Sequence, residues 1–514
     1  MIFASCSKGR SDALFALFRY KPVNKKESIT AVPSKTTVLR ILLMGLIGTA
    51  LLLPVWLVRY PPLLDYPNHL ARGFVLAHLN DPAFHFRGFY RAEWGPYPYL
   101  GMDLALVTLQ RVLPAEVAGK VFLSLCVLAV PLAAWWFMRQ ANPGHDALAL
   151  WGLLLAYNTF FLEGFVNFQL GLAFSFVTIG LWLRYLEHPT KKRWLSVLAL
   201  ATATYFVHLI AFVLTAFIVL AYTAADRRRL RDVGLAGALF APCVLLYALS
   251  GIARYDGTEL YFRDWTEKYY EGLAALRHGY SPRLETLTLW VIVACVVLAW
   301  VRNSEFRIQR PWVWVFAGLL VLYCALPDEI GETWDIDVRV VPVLLATLLV
   351  LARLGRRQRV VAVAALLLFT LRTADVARNF VAKQTELSGM VQAVQALPRN
   401  ARLLPLINEN DDDDPLQRLY AHFWAYSIIE RGAVAPYLFD LRGQTTLRTT
   451  EKIYIPMRPI KDPLDWDSVQ RDYDCVWVYD FPSWTPQLTT MGKMTYAGGN
   501  LRLYQLPRKP PRAR

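Results

Sequence analysis

The sequence predicts a polytopic α-helical membrane protein with a small α/β domain at its C-terminal end. Hydrophobic residues make up 55% of the 514 residues and charged residues only 18%, whereas soluble domains carry about 25% charged residues. Apolar runs that approach the length of a bilayer crossing recur over residues 38–372. Beyond them, acids, turn residues and short β-like runs appear. These observations exclude an ordinary cytosolic enzyme and a disordered chain.

Each apolar run is interpreted as one membrane-spanning helix, which gives about 11 transmembrane helices. Several runs are shorter than the roughly 20 residues that a crossing needs, so their ends are defined only to within a few residues. The runs cover residues 38–58, 117–138, 147–162, 165–185, 194–207, 209–224, 233–250, 286–302, 312–326, 338–353 and 359–372.

The basic residues predict which side of the membrane each loop faces. They are concentrated in the N-terminal tail and in the short loops 184–194, 226–232, 302–310 and 353–359. With about 11 spans, all of these segments lie on one side, and the positive-inside rule makes that side the cytoplasm. The net charge of +15 is therefore interpreted as a topology signal, and no nucleic-acid partner is expected.

The predicted division of the chain follows from these spans. A cytoplasmic basic tail comes first, a transmembrane domain follows, and an extracytoplasmic α/β domain ends the chain. The tail is expected to precede an uncleaved anchor, because its apolar patch is too short for a signal peptide. The three parts cover residues 1–37, 38–373 and 374–514, and the outer loops of the second part cover residues 59–116, 251–285 and 327–337.

Cysteine usage and short motifs exclude several further function classes. The six cysteines form no CxxC pair and lie mostly in apolar runs, so neither a disulfide framework nor a zinc site is expected. The sequence has no Walker A motif and no GxGxxG. A nucleotide-binding function is therefore not supported.

Ionisable residues gather at the predicted outer ends of the spans, where burial near a membrane makes them candidates for function. Asp65 lies about seven residues beyond the first span, and Pro67 can begin a helix. On that helix His69 and Arg72 share one face. Asp65 is thus a candidate catalytic carboxylate, and the alternative is an ordinary N-cap of an interfacial helix.

Polar residues also mark the starts of two later spans. Glu163 and Asn167 are four residues apart at the start of the span 165–185, where they either contact a ligand or cap and pack the helix. His208 lies between two spans. It is either a ligand-binding residue or a structural histidine with satisfied hydrogen bonds.

The loop 327–337 is acidic and leads into an arginine. Its acids include Asp328, Glu329 and Glu332, which could contact a cation or sugar hydroxyls, although a solvated loop would show the same composition. Arg339 enters an apolar run and therefore needs an anionic partner or a watery cavity. A phosphate would suit its planar guanidinium group.

Taken together, these features resemble the GT-C glycosyltransferases, integral membrane enzymes that use polyprenyl-phosphate sugars. Examples are the protein O-mannosyltransferases and the aminoarabinose transferase that acts on lipid A. Asp65-Tyr66 stands where mannosyltransferase-type members often carry an Asp-Glu pair, and the Trp-Trp-Asp motif of oligosaccharyltransferases is absent. The residues that carry the resemblance are Leu64–His69, Gly164–Gly171 and Asp337–Pro342.

The resemblance implies transfer of a sugar from a polyprenyl-phosphate donor to a glycan, lipid or protein acceptor outside the cytoplasm, in the inner membrane of a bacterium. A direct displacement would invert the anomeric centre. Asp65 would be the general base with His69 beside it, and a divalent cation such as Mg²⁺ or Mn²⁺ is possible because some relatives need one. The residues expected to bind the donor phosphate or sugar are Arg72, Glu163, Asn167, His208, Asp328, Glu329, Glu332 and Arg339.

Three alternatives stay open at this point. A transporter or flippase would place its ionisable groups near the middle of the membrane. A lipid-linked glycan polymerase or ligase would use a diphosphate carrier and need outer arginines, for which Arg254, Arg263 and Arg277 are available. A non-catalytic scaffold would not need Asp65.

Overall fold

The computed structural model describes residues 35–226, 230–249, 259–277, 280–301, 309–331, 333–352, 358–408, 420–441, 444–450, 453–456 and 462–507. Nearly all of the predicted cytoplasmic tail lies outside these ranges. The candidate site residue Glu332 lies outside them as well.

A helix forms over each apolar run, because such runs satisfy their backbone hydrogen bonds internally and expose apolar side chains to lipid or to one another. The run 147–162 is broken into two short helices that are separated by a 3₁₀ segment at Leu150–Leu155. The helices are α1 (Lys35–Leu57), α2 (Tyr66–His78), α3 (Leu100–Gln110), α4 (Ala115–Ala141), α5 (Asp146–Ala149), α6 (Thr159–Leu162), α7 (Val166–Glu187), α8 (Lys191–Val207), α9 (Leu209–Ala225), α10 (Leu230–Leu249), α11 (Trp265–Ala274), α12 (Pro282–Val301), α13 (Arg310–Ala325), α14 (Val341–Leu351), α15 (Gln358–Ala396), α16 (Tyr426–Arg431), α17 (Trp466–Asp472) and α18 (Thr485–Met491).

Within the described part of the chain, five helices are long and apolar enough to cross a membrane, judged by length and composition. They are α1 from Thr37 onward, α4, α7, α10 and α15. Other apolar helices, such as α9 and α13, are 10–17 residues long. The helical membrane-protein fold is confirmed, and the number of about 11 crossings stays a prediction.

Helix α15 crosses the predicted boundary between the last span and the C-terminal domain. It runs for 39 residues without a break, so residues 373 and 374 lie inside one helix. The predicted helix at 385–397 is the end of this same element. It packs against α1 and also contacts the C-terminal sheet. The membrane part and the sheet are therefore connected by a continuous helix.

The C-terminal region contains a four-stranded sheet in the order β4-β6-β8-β7. β4 runs parallel to β6, whereas the other two pairings are antiparallel. Alternate residues of β6 point to opposite faces. Trp477 packs into the large core that includes α15, and Val476 packs into a smaller core with α17 and α18. The strands are β1 (Tyr90–Ala92), β2 (Leu260–Tyr261), β3 (Glu329–Ile330), β4 (Leu403–Ile407), β5 (Leu447–Thr449), β6 (Cys475–Tyr479), β7 (Lys493–Gly498) and β8 (Leu501–Gln505).

Two short antiparallel pairings connect the predicted outer loops. β1, in the loop 59–116, pairs with β5, so that Tyr90 lies opposite Thr449. β2 pairs with β3 and thereby joins the loop 251–285 to the loop 327–337. The first pairing brings the C-terminal region against the loop that contains Asp65.

Candidate active site

Asp65 occupies the N-cap position of α2, and Pro67 lies in the first turn as predicted. Its side chain makes no capping hydrogen bond to the described backbone of this helix. Oδ1 instead lies 3.4 Å from Nε2 of His422, and the Asp65 side chain is 17% exposed. A carboxylate that neither caps its helix nor is fully buried is available to a ligand.

The backbone at Asp65 is fixed by the turn between α6 and α7. The Asp65 amide donates to the carbonyl oxygen of Glu163 at 3.1 Å, and the Leu64 amide donates to that of Leu162 at 2.9 Å. Gly164 has φ +80°, and a Cβ there would lie 2.6 Å from the Asp65 nitrogen. Only glycine permits both this conformation and this approach. The segment that carries the resemblance therefore positions Asp65 directly.

Glu163 and Asn167 lie at this same turn, and both are half-buried. The Glu163 carbonyl oxygen holds the Asp65 backbone. The Asn167 side-chain oxygen accepts from the Phe168 amide at 2.9 Å, which is a local contact in the first turn of α7. The structure thus brings the Glu163 backbone into contact with Asp65, and Asn167 lies four residues further along, in the first turn of α7.

Arg72 is paired with an acid that the sequence analysis missed. Its Nη2 lies 2.7 Å from Oδ1 of Asp103 on α3, and each side chain is only 1% exposed. Asp103 Oδ2 also accepts from the Thr446 amide at 3.3 Å. The sequence does contain a signal for this pair: Asp103 is the acid of an otherwise apolar helix, and such an acid needs a partner. The Arg72 charge is thus neutralised within the protein.

His69 lies between Arg72 and the C-terminal region. Its Nδ1 is 3.2 Å from Arg72 Nη1, and its ring packs on Phe439 with centroids 4.9 Å apart. Burial, with further contributions from Arg72 and His422, lowers the pKa of His69 well below 6.5. His69 is therefore neutral at neutral pH and accepts from Arg72 through Nδ1.

Arg339 and His208 lie next to each other, against the aromatic side chains at the start of α7. Arg339 is buried in the 3₁₀ turn that leads into α14, and its Nη2 donates to the Trp334 carbonyl oxygen at 2.9 Å. The guanidinium lies over the Phe165 ring, 4.6 Å from its centroid. Its Nη1 is 3.4 Å from His208 Nε2. The turn 163–165 therefore contacts both groups, because Glu163 bonds the Asp65 backbone and Phe165 lies under the Arg339 guanidinium.

The surroundings of Arg339 leave hydrogen-bond donors without acceptors. Nε is buried and has no hydrogen-bond partner among the described residues. His208 Nδ1 accepts from the Ala211 amide at 3.4 Å, so in the neutral imidazole the proton is on Nε2, facing Arg339. Two donors that face each other need a shared acceptor. An anionic oxygen beside Arg339 and His208 would satisfy both.

The acids of the loop 327–337 surround a cation from the neighbouring loop. Arg263 lies 2.8 Å from Asp328, 2.6 Å from Asp335 and 2.7 Å from Asp337. Lys268 lies 3.1 Å from Asp337. Burial and the two neighbouring aspartates raise the pKa of Asp328 to about 6, although Arg263 opposes the shift. These contacts join α11 to the loop and use most of the acidic charge that the sequence predicted for a ligand.

Glu329 lies apart from this cluster, in β3 opposite Tyr261. In the ranges that the structure describes, no group of three or more His, Cys, Asp or Glu side chains could hold a metal ion. The described acids of this loop do not fit a divalent cation, because the Arg263 guanidinium already lies among them.

The segment 420–441 completes the site, although the sequence analysis assigned no residue of it. Asn68 on α2 donates to the Tyr437 carbonyl oxygen at 2.9 Å and accepts from the Phe439 amide at 3.0 Å. Tyr60 donates to Glu430. These bonds bring His422 to Asp65. In the sequence, the indication of this contact was limited to Asn68, a polar residue within the segment Leu64–His69 that carries the resemblance.

The comparisons with known proteins agree with the expected fold. No protein-family profile matches the sequence, and no curated protein matches it. The structure is similar to ArnT from Cupriavidus metallidurans in the apo state, with a TM-score of 0.56 and 12% identity over 92% of this chain and 98% of that chain. ArnT from the same organism bound to undecaprenyl phosphate aligns with a TM-score of 0.46 and 12% identity over 90% and 97% of the chains. The predicted resemblance is thus confirmed at the level of the fold: the chain has the fold of ArnT, a GT-C enzyme.

Proposed function

We propose that this protein is a membrane glycosyltransferase that moves a sugar from a polyprenyl-phosphate donor to an extracytoplasmic glycan, lipid or protein acceptor. One observation carries the proposal. The turn 163–165 holds the Asp65 backbone and also contacts the buried guanidinium of Arg339, whose Nε has no hydrogen-bond partner among the described residues. The ArnT-like fold over 92% of the chain supports this choice of reaction class.

The donor phosphate would be bound by Arg339 and His208. The buried guanidinium and the Nε2 proton of neutral His208 are both donors, and a phosphate oxygen accepts from both. The same contacts stabilise the charge that grows on the phosphate as it leaves. Phosphate is a good leaving group at neutral pH, so no strong general acid is required.

Asp65 would act as the general base. The acceptor hydroxyl oxygen attacks the anomeric carbon, the bond from this carbon to the phosphate oxygen breaks, and the polyprenyl phosphate leaves with the electron pair. The hydroxyl proton moves to the Asp65 carboxylate. A single displacement of this kind inverts the anomeric centre.

The other predicted residues take more restricted roles in this proposal. Glu163 and Asn167 lie at the turn that positions Asp65, and we propose that they contact the donor sugar there. Arg72 is assigned to holding His69, because Asp103 already neutralises its charge. No step is routed through Mg²⁺ or Mn²⁺, since Arg263 occupies the centre of the described acids. Asp328 is paired with Arg263, so a direct contact of the acidic loop with the sugar is proposed for Glu329 only, and Glu332 lies outside the described residues.

The proposed location is the inner membrane of a bacterium, with about 11 spans and the N-terminus in the cytoplasm. The four-stranded sheet would then lie outside the cytoplasm as part of a small α/β domain. The basic residues of the short loops support this orientation.

The proposal is tested with the full chain in lipid nanodiscs. Undecaprenyl-phosphate-linked mannose and undecaprenyl-phosphate-linked aminoarabinose are offered with lipid A as the first acceptor, and release of undecaprenyl phosphate is followed by mass spectrometry. Asp65→Asn should reduce turnover at least about 100-fold, the size of a general-base contribution. The matched control Asp81→Asn, an acid of the same loop whose side chain is 40% exposed, should keep full turnover. Full activity in Asp65→Asn would show that the base is another group.

Donor binding is measured separately, because it does not depend on the acceptor. Native mass spectrometry should show retention of undecaprenyl phosphate by the wild type and a loss of about 10-fold or more in Arg339→Gln, as expected when one charged hydrogen bond is removed. Equal retention by both proteins contradicts the phosphate site. Turnover only with an undecaprenyl-diphosphate-linked glycan would favour the polymerase or ligase alternative.

A further inference from the structure

His422 faces the proposed base from a distant part of the chain. Its Nε2 lies 3.4 Å from Oδ1 of Asp65, and the two side chains are 19% and 17% exposed. The imidazole packs against Phe439, with ring centroids 5.5 Å apart. The same Phe439 ring contacts His69. His422 is thus held between the Asp65 carboxylate and an aromatic ring.

The position of His422 is set by contacts that do not involve Asp65. Tyr420, two residues earlier, donates to Glu386 on α15. The 3₁₀ turn Phe423–Ala425 follows directly and is buried. Asn68 holds the backbone at Phe439. Because both sides of the histidine are anchored, the imidazole is in place before any ligand binds, which is the requirement for a preorganised site.

A general base needs a fixed orientation, and Asp65 does not obtain it from its own helix. The described backbone of α2 gives the carboxylate no capping hydrogen bond. His422 Nε2–H can donate to Oδ1 and leave Oδ2 for the acceptor hydroxyl. The distance of 3.4 Å is long for such a bond, but catalytic hydrogen bonds commonly shorten when substrate binds.

From this geometry we infer that His422 is the positioning residue of the Asp65 base, an inference that rests on the proposed glycosyltransferase function. Neutral His422 orients the carboxylate towards the acceptor. Protonated His422 would instead hold Asp65 in an ion pair, which competes with the acceptor hydroxyl for the carboxylate. The C-terminal region therefore contributes to the chemistry of the transmembrane part, and activity falls when His422 is protonated.

Ionisable groups near His422 come from two parts of the chain. At the start of α2 they are Asp65 and His69, and His69 is neutral at neutral pH because burial lowers its pKa. On α15, Glu386 and Lys383 contact the side chain of Tyr420, two residues before His422. Asp65 lies 3.4 Å from the imidazole, so the pH response of the pair is expected to follow the His422–Asp65 contact.

The test uses the full chain in nanodiscs with the undecaprenyl-phosphate-linked sugar that gives turnover. His422→Ala should lower kcat about 10- to 100-fold, the effect of a misplaced catalytic group, and leave the donor KM within about twofold. His422→Gln keeps an amide donor near the Nε2 position and should retain most of kcat. Because glutamine does not titrate, the acid limb of its pH profile should move to lower pH. His85→Ala, an exposed histidine of the loop 59–116, is the control.

The outcomes separate this inference from the proposed function. If Asp65→Asn is inactive and His422→Ala has the wild-type kcat, the inference fails and the function stands. A loss confined to the donor KM, or an unchanged acid limb in His422→Gln, also overturns it. In the Asp65→Asn background, His422→Ala should cause no further loss, because both residues act through one group. If His422→Ala is not recovered folded, the pH profile of His422→Gln decides.

Discussion

Replacing Gly164 by alanine should disable the site without removing any of its charged groups. Gly164 has φ +80°, and an added Cβ would lie 2.6 Å from the Asp65 nitrogen, 2.7 Å from the Tyr66 nitrogen and 3.0 Å from the Asp65 Cα. All three are backbone atoms at the start of α2, so no side chain can rotate away. The backbone that carries Asp65 must move.

The expected energy has two parts. Alanine in the left-handed region costs about 1–2 kcal/mol, and forcing a methyl group into packed structure costs about 1–3 kcal/mol. Gly144 provides a matched control, because its φ is +84° and no described atom lies within 4 Å of a Cβ there. Gly144→Ala should therefore show the first cost alone.

The two variants differ in what they do to catalysis. A shift of about 1 Å in the Asp65 backbone should lower kcat roughly 100-fold, whereas Gly144→Ala should keep wild-type turnover. The measurements are thermal unfolding in nanodiscs and release of undecaprenyl phosphate from the active donor. If Gly164→Ala is no less stable and no less active than Gly144→Ala, the turn does not position Asp65 and the reasoning is wrong.

Two further predictions concern the buried charges. Asp103→Ala leaves the Arg72 charge buried without its carboxylate and should destabilise the protein by about 3–5 kcal/mol. The double variant Arg72→Met with Asp103→Leu has no buried charge at this place and should be less destabilised than the single variant. Equal thermal unfolding of Asp103→Ala and the wild type would contradict this. Asp328 has a pKa of about 6 in the folded protein against an ordinary 3.8, so its contribution to stability is fully present below pH 4 and is lost as the pH rises through 6. Asp328→Asn should therefore lose less stability than the wild type between pH 4 and 7 in a series of unfolding temperatures, and parallel curves would show that Asp328 does not titrate there.

The parts of the site that were predictable depend on local sequence. The order of charge and apolar residues places Asp65 beyond the first helix, and Pro67 predicts that α2 begins there. Arg339 was identified because an arginine that enters an apolar run needs a partner. In each case the signal lies within a few residues of the group itself, so one sequence is sufficient to read it.

The contacts that could not be predicted join residues far apart in the chain. His422 reaches Asp65 through the pairing of β1 with β5 and through the bonds of Asn68. No periodicity encodes such an approach, because it depends on how α15 carries the C-terminal region back over the membrane part. For the acids of the loop 327–337, a ligand site was predicted where the structure has an internal ion-pair cluster. Their number suggested a ligand site, but Arg263 from another loop uses their charge.

The pairing of the buried cations explains why Arg339 is better suited than the other arginines to hold a phosphate. Arg72 has a carboxylate at 2.7 Å, and Arg263 has three aspartates around it, so an anion at either place would have to displace an existing ion pair. Arg339 is bonded instead to a backbone carbonyl oxygen and lies against aromatic rings. Its charge is buried and forms no ion pair with a described carboxylate, and such a buried charge is costly. Binding an anion removes that cost, so the free energy gained there is available to hold the donor and to stabilise the phosphate as it leaves.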